Sequence, residues 1–146
     1  MGRCVNLRAS VGILVNEDGR ILFAERSAAV HTFPEHWEFP GGLVAEGESF
    51  QDGLRRELYE ELGLRLMSVP HLLRKAHSLD DRGRTWLVCT YVCPLDGQVP
   101  RILEPEKCIQ IGFFDPWHPP SPLLDAANDD LSAYRQESTG GPQTEL

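Results

Sequence analysis

The stretch Gly42-Leu43-Val44-Ala45-Glu46-Gly47-Glu48, followed after seven residues by Arg56-Glu57-Leu58-Tyr59-Glu60-Glu61-Leu62-Gly63-Leu64, decides how this chain is read. Within it Phe50, Leu54, Leu58 and Leu62 recur every four residues, which predicts one apolar side of a helix over Ser49–Leu62. Ser49 followed by Asp52 resembles a capping box with Asp in place of Glu, and Gly63 stands where a left-handed C-terminal cap is needed. A turn of about 100° per residue puts Glu57, Glu60 and Glu61 on one face bordering that stripe. Glu57 meets the other two at i+3 and i+4, and each such pair of like charges costs an isolated helix about 0.2–0.5 kcal/mol. Clustered hard oxygens are what Mg²⁺ or Mn²⁺ requires, and a divalent ion reverses the sign of the repulsion. Spacing alone leaves the solvated face of a surface helix as the alternative. Arg56, four residues before Glu60, can orient that carboxylate. Gly41 and Gly42 let backbone approach a ligand, so the Gly41 carbonyl can add an oxygen. Glu48 lies near the helix N-terminus, where the dipole favours a carboxylate with or without a metal.

Working outward, Val11–Val15 and Ile21–Ala24 are short apolar runs around Asn16-Glu17-Asp18-Gly19, which predicts a hairpin with a turn at Asp-Gly. Ser27–His36 reads as a loop, and Trp37-Glu38-Phe39 as a brief strand stopped by Pro40-Gly41-Gly42. Leu64–Val69, Leu72–His77, Thr85–Cys93 and Cys108–Phe114 are further candidate strands, with Asp80–Arg84 and Leu95–Pro100 as connections, so a mixed sheet is expected. Ser121-Pro122 has the order of a helix start, and Leu124, Ala127, Leu131 and Tyr134 then follow helical spacing. Residues 1–135 are therefore expected to form a single domain, with 136–146 a flexible, aperiodic tail.

The 146 residues carry 41% hydrophobic and 25% charged side chains, which suits one core, and a formal net charge of −8. Such a charge opposes binding to a nucleic acid polymer but allows a small anion if a cation screens the carboxylates. Cys4, Cys89, Cys93 and Cys108 form no C-x-x-C pair, so free thiols in a reducing compartment are expected, with Cys89 and Cys93 packed on one face of a strand. No apolar run approaches the roughly 18–20 residues of a membrane span and Met1–Ser10 lacks the apolar region of a signal peptide, which makes a cytoplasmic protein the expectation.

The whole quoted stretch resembles the Nudix box, G-x5-E-x7-R-E-U-x-E-E-x-G-U with U apolar. All nine specified positions match over 23 residues. The resemblance implies an α/β fold, the α/β/α sandwich around a mixed β-sheet, and metal-dependent hydrolysis of a diphosphate in a small, nucleotide-like molecule. Trp37-Glu38-Phe39-Pro40-Gly41-Gly42 resembles the MutT-like branch, and Glu104-Pro105-Glu106-Lys107-Cys108 a segment of relatives acting on nucleoside triphosphates or prenyl diphosphates. The roles implied are Glu57 as general base, Glu60 and Glu61 with Glu57 as ligands of Mg²⁺ or Mn²⁺, the Gly41 carbonyl in support, and Arg56 behind them. Glu104 or Glu106 is the alternative base. The leading expectation is a nucleoside triphosphate cleaved to monophosphate and pyrophosphate. Prenyl diphosphates or nucleotide sugars are the rivals, and a non-catalytic nucleotide-binding module the reading from another class.

Phe33, His36, Trp37 and Trp117 are candidate walls for a base or prenyl chain, with core packing as the alternative, while Arg26 and Gly42 are candidate contacts to phosphate. His71, His77 and His118 show no partner pattern and are read as surface or core residues. In MutT an Asn after a Pro-Pro pair reads oxidised guanine, whereas this chain has Pro119-Pro120-Ser121-Pro122, which removes the basis for that selectivity. A homodimer is compatible with everything above.

Overall fold

The computed structural model describes residues 6–139. The strands are β1 (Asn6–Val15), β2 (Ile21–Arg26), β3 (Trp37–Glu38), β4 (Gly41–Leu43), β5 (His71–Leu79), β6 (Thr85–Pro94) and β7 (Cys108–Phe114), and the helices α1 (Phe50–Leu62) and α2 (Asp125–Thr139). The strands make one mixed sheet in the order β3-β2-β1-β6-β5, with β4 also on β1 and β7 also on β2.

The β1–β2 turn forms as its sequence predicts. Gly19 takes φ 79°, and the Asn16 side-chain oxygen accepts from the Asp18 and Arg20 amides at 2.9 Å each. β1 then organises the sheet through both edges. One edge runs parallel to β6 from Asn6↔Thr85 to Val15↔Pro94; the other meets β2 at Val15↔Ile21 and β4 at Ala9↔Leu43 through Val11↔Gly41.

Alternation along the strands assigns the two helices to opposite faces. Leu14 and Leu22 point to one side and pack with Cys89, Tyr91 and Cys93 against Leu54, Leu58 and Leu62 of α1. Ile13, Ile21 and Phe23 point to the other and pack with Trp37, Phe39 and the α2 residues Ala127 and Leu131. The result is a three-layer α/β/α sandwich. Cys89 and Cys93 are buried and free, as expected from their even spacing, and Cys108 is free as well; Cys4 lies outside the described residues. Burial pushes the Cys93 thiol up to about 12, which leaves it an inert packing group.

Both ends of α1 behave as its sequence predicts. The Ser49 hydroxyl accepts from the Asp52 amide, and Gly63 at φ 69° returns its amide to Leu58 and Tyr59. The next segment differs from expectation, because Leu64–Val69 forms no strand. Its backbone groups find side-chain partners instead: Gln98 bonds both the amide and the carbonyl of Arg65, and Arg55 reaches the Leu66 carbonyl at 3.2 Å.

The second helix starts later than Ser121-Pro122. Pro122 and Leu124 are drawn into pairing with β3, the Trp37 amide donating to the Pro122 carbonyl at 2.8 Å and the Leu124 amide to the Trp37 carbonyl at 2.9 Å. The helix therefore begins only at Asp125, with the Leu124 carbonyl accepting from the Asn128 amide at 2.9 Å. At its other end α2 continues through residues 136–139, which the sequence had suggested as the start of a tail; the remainder, 140–146, lies outside the described residues. No helix among the described residues is long and apolar enough to cross a membrane.

Candidate active site

The site is assembled where α1 meets β4 and the segment before β7. Arg56 is its central cation. It donates to both oxygens of Glu48 at 2.9 and 3.0 Å, to the Leu43 carbonyl at 2.9 Å, and to Glu57 Oε2 and Glu60 Oε1 at 3.1 Å each. The predicted Arg56–Glu60 pair is present within this larger clamp, which ties the glycine-rich loop to the helix. Glu48 is thus more than a dipole partner. Its hydrogen bonds from Arg56 and from the Ala45 amide lower the carboxyl to about 2.

Glycine is required beside this clamp. A Cβ on Gly42 would lie 2.5 Å from Cδ of Glu57, and one on Gly41 would collide with the Ser10 carbonyl, at a φ of 152° that L side chains rarely adopt. The Glu57 carboxylate therefore lies flat against backbone, where no side chain separates it from β4.

Next to Glu57 the balance of charge reverses. Burial is the main reason that the Glu61 carboxyl is pushed up to about 9, followed by the charge and hydrogen bond of Glu57 and the charges of Glu38 and Glu104. Glu38 is also raised by burial, although Arg26 opposes the shift. Lys107 Nζ lies 3.4 Å from Glu104 Oε1, yet that buried oxygen accepts no hydrogen bond. Burial opposes the charge of Lys107, but Glu104, Glu61 and Glu57 outweigh it and raise the amine.

A small cavity of about 40 Å³ is lined by Glu38, Gly41, Glu61, Glu104 and Lys107 among others. It shares Glu38, Gly41, Glu61 and Lys107 with a wider groove of about 390 Å³, whose other walls include Val11, Val30, Gly42 and Trp86. Among the described residues no three His, Cys, Asp or Glu side chains already form a metal cage. Glu61, whose carboxyl burial and the neighbouring Glu57 push up, and Glu104, whose Oε1 accepts no hydrogen bond, supply hard oxygen donors that fit a divalent cation.

The geometry separates the residues singled out by sequence. Glu61 lines both cavities, with the half-buried Glu57 beside it raising its carboxyl; Glu57 and the half-exposed Glu60 both pair with Arg56 and line neither cavity. Glu104 points into the small cavity while Glu106 is exposed and lines neither. Arg26 lines the groove, but its guanidinium is bound by Glu38 at 3.0 and 3.1 Å and by the carbonyl and hydroxyl of Thr32. Trp37 is core, 5.4 Å edge-on to Phe114. Phe33 and His36 pack on each other at 5.7 Å and Trp117 lies under Arg135 at 4.9 Å, all three outside the two cavities.

Three lining residues escaped the sequence reading: Glu38, Trp86 and Lys107. Glu38 had a signal, since alternation between the apolar Trp37 and Phe39 turns it away from the core. Of the histidines, His71 pairs with Glu137 at 3.1 Å and His118 with Asp115 at 3.5 Å, both at the surface.

A family model described as the NUDIX domain matches residues 6–136. The chain belongs to the NUDIX family. It is 44% identical over 138 residues to a Shewanella sp. (strain W3-18-1) protein named RNA pyrophosphohydrolase, an alignment covering 93% of this chain and 65% of that one. The chain thus spans less than two thirds of the length of such relatives. A solved structure of a MutT NUDIX hydrolase from Burkholderia pseudomallei superposes with a TM-score of 0.80 at 28% identity, covering 88% of this chain and 98% of that chain. The NUDIX domain of Shewanella oneidensis NrtR, solved with ADP ribose, shares the fold with a TM-score of 0.74 at 19% identity, covering 92% and 89% respectively.

Proposed function

We propose that this NUDIX chain is a divalent-metal-dependent pyrophosphohydrolase that cleaves a nucleoside triphosphate to the monophosphate and pyrophosphate. The observation carrying this reading is the pair of carboxylates Glu61 and Glu104 facing Lys107 in the small cavity, with Glu57 acting on Glu61 from the same helix and a groove of about 390 Å³ opening from Glu61 and Lys107. Glu57, Glu60 and Glu61 would hold the cation, with the Gly41 carbonyl in support. When bound, Mg²⁺ or Mn²⁺ supplies neutralisation of phosphate charge and makes water easier to ionise. Glu57 takes the proton from the attacking water, and Arg56 holds Glu57 in place through its 3.1 Å hydrogen bond. Glu104 is the alternative base. The water oxygen bonds to phosphorus, the anhydride P–O bond breaks, and pyrophosphate leaves. Lys107 offsets the negative charge of the phosphates within the groove.

A second reading, in which the triphosphate is the 5′ end of an RNA, is favoured by the name of the 44%-identical relatives. The net charge of −8 opposes it. Nucleoside triphosphates, nucleotide sugars, prenyl diphosphates and a 5′-triphosphorylated RNA are incubated with Mg²⁺, and the products are separated by chromatography. Monophosphate and pyrophosphate from the free nucleotides are expected. Cleavage of the RNA alone selects the second reading, and nucleotide binding without turnover anywhere in the panel selects the binding module. With no Asn after Pro119-Pro120, oxidised dGTP is expected to gain no preference.

A further inference from the structure

Trp86 is a large aromatic residue that belongs to neither core cluster. It stands near the start of β6, opposite Leu7 of β1, and forms a wall of the groove with Ala9 and Val11. Those three positions share a sheet face with Ile13, where α2 packs. The helix covers the Ile13 end and leaves the Trp86 end open, so the indole stays half-buried.

Its orientation is fixed by polar groups. The indole N–H donates to Asp80 Oδ2 at 2.9 Å. Asp80 is itself held by the amides of Arg82 and Arg84 at 2.9 and 2.8 Å and by Arg84 Nε at 2.7 Å, and the Arg84 guanidinium lies 6.0 Å from the ring centroid. The indole bond, foremost, keeps the Asp80 carboxyl well below the ordinary carboxylate range. The β5–β6 turn therefore acts as a bracket for one flat ring. An apolar chain needs only an apolar wall, whereas a planar heterocycle gains from a rigid π-face.

From this geometry we infer that Trp86 is the platform on which the base of a nucleotide stacks, with Asp80 as the residue that positions it. The inference rests on the proposed hydrolysis only for the direction of the phosphates, which run from the indole towards Glu61 and Lys107. It assigns the substrate to the nucleotide class and places selectivity on β6.

Two measurements test it. In the first, tryptophan fluorescence is titrated with AMP, which is not a substrate for pyrophosphate release. Quenching is expected in the parent and lost in Trp86→Phe, and ribose 5-phosphate is expected to quench neither; equal quenching in Trp86→Phe overturns the inference. In the second, kcat and KM are measured for ATP and for inorganic tripolyphosphate. Trp86→Leu is expected to raise KM for ATP at least about fivefold, the lower range for one stacked base, with tripolyphosphate unchanged and Trp86→Phe close to the parent. Asp80→Asn is expected to raise the same KM by less, without altering kcat on tripolyphosphate; a changed kcat there makes it a turn residue only. If Trp86→Leu and Trp86→Phe both match the parent on ATP, the wall is merely apolar and the platform is refuted. Absence of turnover on every phosphate, with Trp86-dependent quenching intact, instead refutes the hydrolase reading and leaves the platform standing.

Discussion

Glu48 and Glu61 are both carboxylates of the same box, and the protein drives them in opposite directions. Arg56 and a backbone amide bring Glu48 down to about 2; burial beside Glu57 brings Glu61 up to about 9. On the Arg56 side every carboxylate has a cation within 3.1 Å, so those charges act as structure and need nothing from solution. On the Glu61 side Arg26 is taken by Glu38 and Arg56 by Glu57, which leaves Glu61 and Glu104 facing the single Lys107, an excess of negative charge that suits a divalent cation. Two regions of one helix therefore divide the labour between holding the loop and receiving a ligand.

The largest effect expected from this contrast is on turnover. Glu57→Gln should lower kcat by roughly 10²- to 10⁴-fold, as for a lost general base, and Glu61→Gln should reduce both turnover and metal affinity. Parental rates in both variants would reduce the interior cluster to packing. The clamp is tested next through stability. Arg56→Ala leaves Glu48, Glu57 and Glu60 without their common donor and should cost about 1–3 kcal/mol by urea unfolding; an unchanged midpoint would show that the clamp holds nothing.

The pH dependence of the metal-free protein is the third test. Folded Glu61 binds its proton more tightly than the unfolded chain does, so its contribution is full below about 4.5 and is lost as pH rises through about 9. Unfolding midpoints should fall across that window, and Glu61→Gln should make the profile flatter. Metal affinity should climb over the same range, because the cation displaces that proton. An identical slope in Glu61→Gln would assign the titration elsewhere. The smallest effect belongs to Glu60→Gln, which loses one exposed ion pair and one repulsion and should stay within about 0.5 kcal/mol in stability. A larger fall in turnover than Glu61→Gln would reverse the ranking that the geometry supports.

What could be read in advance was local. The helix followed from Phe50, Leu54, Leu58 and Leu62, its caps from Ser49 and Gly63, and the Arg56–Glu60 pair from i,i+4 spacing, because each is decided within a turn or two of chain. The errors arose where distant partners compete. Leu64–Val69 has strand-like composition, but Gln98 and Arg55 take its backbone groups; Ser121-Pro122 has helix-start chemistry, but β3 claims Pro122 and Leu124. The candidate site divided in the same way. Periodicity brought Glu57 and Glu61 together, whereas Trp86 and Lys107 reach the groove only through strand register and loop path. Arg26, a candidate phosphate contact by its sequence position, is held by Glu38.

The parallel seam between β1 and β6 joins residues about eighty positions apart, from Asn6↔Thr85 to Val15↔Pro94. The entire box helix is therefore synthesised before the strand that supplies Trp86, and before the segment carrying Glu104 and Lys107. During synthesis the acidic helix can coil on its own stripe, yet no groove is present to receive a nucleotide. Competence arrives at once, when the last third of the chain closes the sheet, so a nascent or truncated copy should be silent toward the cell's nucleotide pool.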